Sequence, residues 1–145
     1  MWRAMIYIDT SMKGPKKKGG WYTYIVAVET AKGIADTGDT VKAEDATENQ
    51  ATLMALEAAL KRLTKPCRLT LYLENDYVAT ALQNGWVDNW RYNGWMTTKN
   101  KPVADEEKWR SIQEILNAHD FEVCLKQPHT YREWMRGKLK EKEGK

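Results

Sequence analysis

The sequence predicts an α/β fold: a mixed five-stranded sheet, three antiparallel strands followed by two parallel additions, flanked by helices. Three observations predict it. An apolar run, Ala4-Met5-Ile6-Tyr7-Ile8, ends on Asp9. Two further strand-like stretches follow before any helical signal. From Thr47 onward helical and strand-like segments alternate, so the order reads βββαβα…αβα.

Taken in order, Arg3 to Ile8 reads as a fully buried strand. Trp21 to Glu29, rich in aromatic and β-branched residues, reads as a second, after a turn at Gly14-Pro15-Lys16-Lys17-Lys18-Gly19-Gly20. Gly33 to Thr40 is short and tightly joined, which predicts antiparallel pairing with the second. Thr47-Glu48-Asn49-Gln50 matches a capping box, in which the Thr hydroxyl and Gln side chain satisfy backbone groups at a helix start. That helix is expected to reach about Leu63, with Leu53, Leu56, Leu60 and Leu63 on one stripe and Pro66 beyond its end. Cys67 to Leu73 is a fourth strand. Asn75 can cap a short helix through Leu82, and a Trp-rich segment starts at Gly85. Asp105 opens a helix to about Ala118, Phe121 to Lys126 is the last strand, and Thr130 to Lys140 a final helix.

Length and composition bound the rest. At 145 residues there is room for one domain with a sizeable core, expected over residues 1–140, and residues 141–145 read as a frayed tail of mixed charge. A chain that is 42% apolar and 30% charged has the composition of an ordinary globular domain, which excludes extensive disorder. The net charge of +3 is too small to identify a partner; the clustering of the cations carries that information. Cys67 and Cys124 sit in strand-like stretches without CxxC spacing, so reduced buried thiols are expected rather than a disulfide framework or zinc site. No stretch approaches the roughly 20 apolar residues of a membrane span. The first residues lack the charged-then-apolar order of a secretory signal. The expected location is cytoplasmic.

With these elements in place, the segments Leu71-Tyr72-Leu73-Glu74-Asn75-Asp76-Tyr77-Val78 and Gly85-Trp86-Val87-Asp88-Asn89-Trp90-Arg91-Tyr92-Asn93-Gly94-Trp95, with Lys101-Pro102-Val103 beyond, resemble ribonuclease H of type 1. The resemblance covers nearly the whole chain. Its most specific part, Trp86 through Trp109, is similar to the basic protrusion, or handle, with which that family grips RNA/DNA hybrids. It implies the ribonuclease H-like fold, and hydrolysis of the RNA strand by two divalent ions, Mg²⁺ or Mn²⁺, held on four carboxylates.

Only part of that carboxylate set can be matched. Asp9, in Ile8-Asp9-Thr10-Ser11, falls on the first position and Glu74 on the third; both are the expected metal ligands and residual catalytic residues. The second position, in Asn49-Gln50-Ala51-Thr52-Leu53, is Thr52, a neutral hydroxyl. At the fourth stands Met135-Arg136-Gly137, with Glu133 the nearest acid. Losing two of four ligands is expected to cost roughly 10³-fold or more in rate, leaving a degenerate active site that binds one metal weakly or none. Glu48, Asp76 or Glu133 can repopulate a shifted site. Against that, Glu48 and Asp76 are favoured near helix starts by the dipole alone. Asp9 can instead cap a turn through Ser11 and the following amides, but Glu74 ends the strand expected to neighbour it, which favours the site.

The resemblance places nucleic-acid contacts at Thr47, Asn49, Trp86, Asn89, Arg91, Trp95, Lys99 and Lys101, the cations neutralising phosphates and aromatic faces packing on sugars or bases. Thr47 is also a helix cap. The tryptophans, Trp90 and Trp109 foremost, can instead be core anchors, and Lys16-Lys17-Lys18 a solvated hairpin tip whose lysines guard a sheet edge. His129 lies near the family's mobile loop histidine, and an exposed loop histidine is an equal reading. Three functions stay open: a binder of RNA/DNA hybrid or double-stranded RNA with little or no cleavage (a pseudoenzyme), an active metal-dependent ribonuclease H with displaced ligands, and a protein-interaction or structural module.

Overall fold

In the computed structural model, residues 1–144 are described. Five strands and five helices follow one another as β1 (Trp2–Thr10), β2 (Lys18–Thr30), β3 (Gly33–Ala46), α1 (Glu48–Leu60), β4 (Cys67–Leu73), α2 (Asp76–Gln83), α3 (Trp86–Tyr92), α4 (Glu106–Leu116), β5 (Asp120–Leu125) and α5 (Arg132–Lys142). The sheet order is β3-β2-β1-β4-β5. β1 pairs antiparallel with β2 and β2 with β3, whereas β4 and β5 join in parallel, so the expected mixed sheet is the observed one.

Strand periodicity sorts the core onto two faces. Ala4, Ile6 and Ile8 of β1, with Tyr22, Tyr24 and Val26 of β2, belong to the main core, which includes Leu53, Leu56 and Leu60 of α1 and Trp109, Ile112 and Leu116 of α4. The alternate residues Tyr7, Ile25 and Ala27 meet Met135 of α5 on the other face in a smaller cluster that Met5, Tyr72 and Tyr131 flank. Fully buried leucines of this kind each stabilise by roughly 1.5–3 kcal/mol relative to exposure, so the α1 face holds most of the fold's apolar free energy.

Several boundaries differ from the sequence reading; β2 starts at Lys18, so Lys18 to Gly20 of the expected turn are strand, and α5 starts at Arg132 rather than Thr130. α1 ends at Leu60 rather than Leu63, but Arg62 and Leu63 donate backbone bonds to Ala59 and Leu60 in a tighter 3₁₀-type turn that keeps Leu63 against the core. β3 runs on to Ala46, because Val41, Ala43 and Ala46 keep pairing with β2 through a bulge between Lys18 and Gly20. Its charged residues, among them Asp36, Asp39, Lys42 and Glu44, belong to an exposed edge strand and hid the alternation. α5 continues to Lys142, so two residues of the expected tail are helical; Lys145 lies outside the described residues. The Trp-rich segment forms the short helix α3 and a turn closed by a Met96–Pro102 bridge.

Both cysteines are free, Cys67 buried and Cys124 partly so. Among the described residues no helix is long and apolar enough to cross a membrane.

Candidate nucleic-acid interface

β1 and β4 run parallel with Tyr7 opposite Tyr72. Two residues further along each strand, the same register sets Asp9 beside Glu74. Both then lie at the carboxyl ends of the central strands, where one strand continues to an antiparallel neighbour and the other to a helix. Such switch points of open α/β sheets are where ligands bind. Asp9 shares the parity of Met5 and Tyr7, so it faces the α5 side.

Loop packing fixes the approach. Ser11 N–H donates to Trp21 O at 2.9 Å, and Trp21 N–H donates to Ser11 Oγ at 2.9 Å. Gly20 is needed beneath this loop: a Cβ there would stand 2.8 Å from Ser11 Oγ and 2.9 Å from Met12 Sδ. Gly14 N–H donates to Glu48 Oε1 at 2.9 Å, tying the loop to the start of α1.

The electrostatics of the pair are set by arginines. Arg132 Nη2 lies 2.8 Å from Glu74 Oε1, and Arg136 Nη2 lies 3.7 Å from the same oxygen. Lys13 Nζ is 3.8 Å from Asp9 Oδ1, which also accepts from Thr10 N–H at 2.8 Å. Burial raises the Asp9 carboxyl above the ordinary aspartate range; Lys13 and the Thr10 amide pull it back in part, and Glu74 pushes it up. Thr52 is buried, and its hydroxyl donates to Glu48 O at 2.9 Å, the usual back-bond of a threonine inside a helix. Arg132 Nε is buried without a hydrogen-bond partner.

The recess bordered by Asp9, Glu48, Thr52 and Glu74 measures about 10 Å³, room for one water-sized occupant. Among the described residues no three His, Cys, Asp or Glu side chains gather in a metal-holding group. Glu133 is turned outward to Arg136 at 3.7 Å and Asp76 to Lys126 at 3.0 Å, both strongly exposed.

A chain of hollows leads from the carboxylates to the handle. One of about 430 Å³ is bordered by Asp9, Lys13, Glu74, Arg136 and Lys140. It shares Asp9, Lys13 and Glu74 with the small recess. That recess shares Glu48 and Asn75 with a hollow of about 310 Å³ that includes Asn49 and Tyr77. Tyr77 also borders the last, of about 700 Å³, where Trp86, Asn89, Trp90 and Thr97 stand. A separate hollow of about 640 Å³, between β2, β3 and α5, shares none of these residues.

Of the expected contact residues, Asn49, Trp86 and Asn89 therefore border one track. Thr47 spends its hydroxyl as the α1 cap, accepting from Gln50 N–H at 3.1 Å, and the capping box is complete. Arg91 is exposed, 3.6 Å from Asp88 and over the Tyr92 ring. Lys99 and Lys101 are exposed in the turn after Trp95. Trp95 is only 5% exposed and lies beneath the Arg110 guanidinium, so it offers no free face. Trp109 is wholly buried, and Trp90 packs edge-on against it with centroids 5.5 Å apart, so the two anchor the handle to α4. His129 is not an exposed loop histidine. Its ring centroid lies 4.5 Å from that of Tyr7 and 5.2 Å from that of Tyr72, and Nδ1 accepts from Tyr131 N–H at 3.2 Å. Burial lowers its pKa; Glu74 opposes that and Arg132 and Arg136 reinforce it, which favours the neutral ring.

The family model for RNase H matches residues 2–131. The chain belongs to the ribonuclease H family. It is 32% identical over 131 residues to a ribonuclease H of Moorella thermoacetica, an overlap that covers 90% of this chain and 82% of that protein. Its fold superposes on LC9-RNase H1, a type 1 RNase H with the type 2 active-site motif, at a TM-score of 0.78, with 17% identity over 99% of this chain and 73% of that one. It superposes on LC11-RNase H1, solved in complex with RNA/DNA hybrid, at 0.59, with 15% identity over 97% and 99%. Likeness at these identities speaks for the ribonuclease H fold alone.

Within that fold, sequence reading missed Lys13, Arg132 and Lys140, and gave Asn75 only as a helix cap. Asn75 is buried, caps α2 through Val78 N–H at 2.8 Å and donates to Asn49 Oδ1 at 2.9 Å, so it braces the track from below. Arg132, Arg136 and Lys140 recur every fourth residue on the final helix, a stripe that the sequence carries openly.

Proposed function

We propose that this ribonuclease H family member binds RNA/DNA hybrid or double-stranded RNA and has lost strand cleavage, as a pseudoenzyme with a degenerate active site. The observation that carries the reading is the arginine pair on α5. Where the four-acid pattern calls for another carboxylate, Arg132 and Arg136 approach Glu74. Hard divalent ions need several oxygen ligands each, and Mg²⁺ keeps near-octahedral geometry. Two carboxylates already facing cations and a hydroxyl bonded back into its helix supply too few free oxygens for a pair of such ions. Binding draws support from the track of hollows between the strand ends and the handle, with Trp86 and Asn89 at one end and Arg136 and Lys140 at the other.

The test is a gel assay of labelled hybrid with Mg²⁺ and with Mn²⁺. Retarded but intact hybrid is the expected outcome. Metal-dependent cutting that disappears in Asp9→Asn would overturn the loss of cleavage.

A second reading, an active enzyme with a displaced ligand, has one observation of its own: Glu48 borders the same recess as Asp9 and Glu74. Its oxygens are engaged by Gly14 N–H at 2.9 Å and Asn75 Nδ2 at 3.4 Å, which makes it a brace of the loop first. Cleavage abolished by Glu48→Gln in a protein that still melts like the wild type would select this reading.

A further inference from the structure

The hollow over Asp9 and Glu74 carries more cationic groups than a site built to collect divalent ions. Lys13, Arg136 and Lys140 border it together with Asp9, Glu74 and Glu143, and Arg132 stands behind Glu74. Four positive charges meet three negative ones there, before any ion is bound. An all-carboxylate cluster repels a phosphodiester until metals neutralise it; this arrangement does not need them.

The cations divide the labour. Arg132 makes the short bond to Glu74, at 2.8 Å. Arg136 stays at 3.7 Å from Glu74 and at 3.7 Å from Glu133, both beyond hydrogen-bond length, so its forked donors remain available. Among the described residues Lys140 makes no ion pair; it lies one turn beyond Arg136 on the same face of α5. Lys13 is exposed and only loosely held by Asp9, at 3.8 Å. Arginine forks match phosphate oxygens in pairs, and lysine acts as a movable point charge.

We propose that Arg136, Lys140 and Lys13 form a phosphate clamp that holds the nucleic-acid backbone over Asp9 and Glu74 by direct charge-assisted bonds, in place of divalent ions. The inference rests on the reading that the chain binds hybrid. It makes the strand-end hollow part of the binding footprint and makes binding independent of metal.

The experiment is fluorescence anisotropy of a short labelled RNA/DNA hybrid, in EDTA and in Mg²⁺ at matched ionic strength. Wild-type affinity is expected to agree within about twofold between the two, because no cation has to be delivered to the site. Each lost phosphate contact lowers the salt slope by about 0.9, or roughly eightfold in affinity near 0.1 M salt, so Arg136→Ala with Lys140→Ala is expected to lose roughly sixtyfold. Arg136→Lys, which keeps the charge, should recover most of its share. Both residues are exposed, and matching thermal melts check that the variants fold. Binding that collapses in EDTA, or a double alanine variant as tight as wild type, overturns the clamp. If wild type binds and Lys99→Ala with Lys101→Ala weakens it while the α5 variants do not, the clamp fails and the binding reading stands. If wild type binds no hybrid at all, both fail.

Discussion

Replacing Arg132 and Arg136 by Met separates a carboxylate pair neutralised by arginine from one that waits for metal. The short Arg132–Glu74 bond joins side chains only 21% and 14% exposed, and a charge-assisted bond of this kind contributes about 1.5–3 kcal/mol. Part of that is offset in the wild type, since Arg132 Nε is buried without a partner, a cost that Met does not carry. The longer Arg136 contact, 44% exposed on the arginine side, contributes about 0–1 kcal/mol. The double variant should therefore lose about 1–2 kcal/mol, or about 3–7 °C in Tm for a chain of this length. Asp9 and Glu74 are then left facing each other with only the loosely held Lys13 and Lys140 bordering their hollow, and a divalent ion becomes the available remedy. Mn²⁺ at about ten times its Kd stabilises by about 1.4 kcal/mol, enough to return most of the lost Tm. Thermal melts followed by circular dichroism, with Mn²⁺ against EDTA, read this directly. Wild type should show no comparable gain. A wild-type protein that Mn²⁺ stabilises as strongly as the variant, or a variant that ignores Mn²⁺, refutes the claim that guanidinium stands where metal would.

Two further outcomes follow from the same geometry. The buried Asp9 carboxyl holds its proton more tightly in the fold than in the unfolded chain. The folded state thus binds more protons once the pH exceeds the ordinary aspartate value, and stability falls as the pH rises through the interval up to the raised value. Asp9→Asn should therefore raise Tm near pH 7 and give no gain near pH 3, where both states are protonated; an unchanged Tm at pH 7 contradicts the burial argument. Trp109→Ala should cost about 3–5 kcal/mol in urea unfolding, because the indole is fully buried and carries Trp90 on its edge, and a loss below about 1 kcal/mol would show that the handle is not anchored there.

The fold was legible because local and global signals agree along most of the chain. The capping box at Thr47, the Asn75 cap and the apolar β1 and β4 each declare themselves within a few residues, and the first helix carries its leucine stripe. What stayed hidden depends on pairing. The far half of β3 is strand only because β2 reaches out to it, and its own charged sequence argues the other way. The site was half legible. Asp9 and Glu74 could be placed at strand ends by counting, and Thr52 and the segment Met135-Arg136-Gly137 could be read as lacking the acids that the resemblance calls for. That Arg132 and Arg136 turn toward Glu74, and that His129 packs against the stacked pair Tyr7 and Tyr72, follow from how α5 lies on the sheet, which no local pattern encodes.

The two departures from the four-acid pattern gain their meaning together. Exchanging one carboxylate for the Thr52 hydroxyl would by itself leave three acids converging on a shallow recess, repelling one another and still in need of a cation. If Arg136 takes the place of another acid, the local balance changes by two charges, and Arg132, which also approaches Glu74, adds a third. On the proposed reading the site is then close to neutral without any ion, and it can meet a phosphate backbone directly. Restoring an acid at position 52 alone should accordingly destabilise the protein rather than revive it. Metal binding is expected to return only when the guanidiniums are removed as well, because on the proposed reading the charge they supply takes the place of an ion.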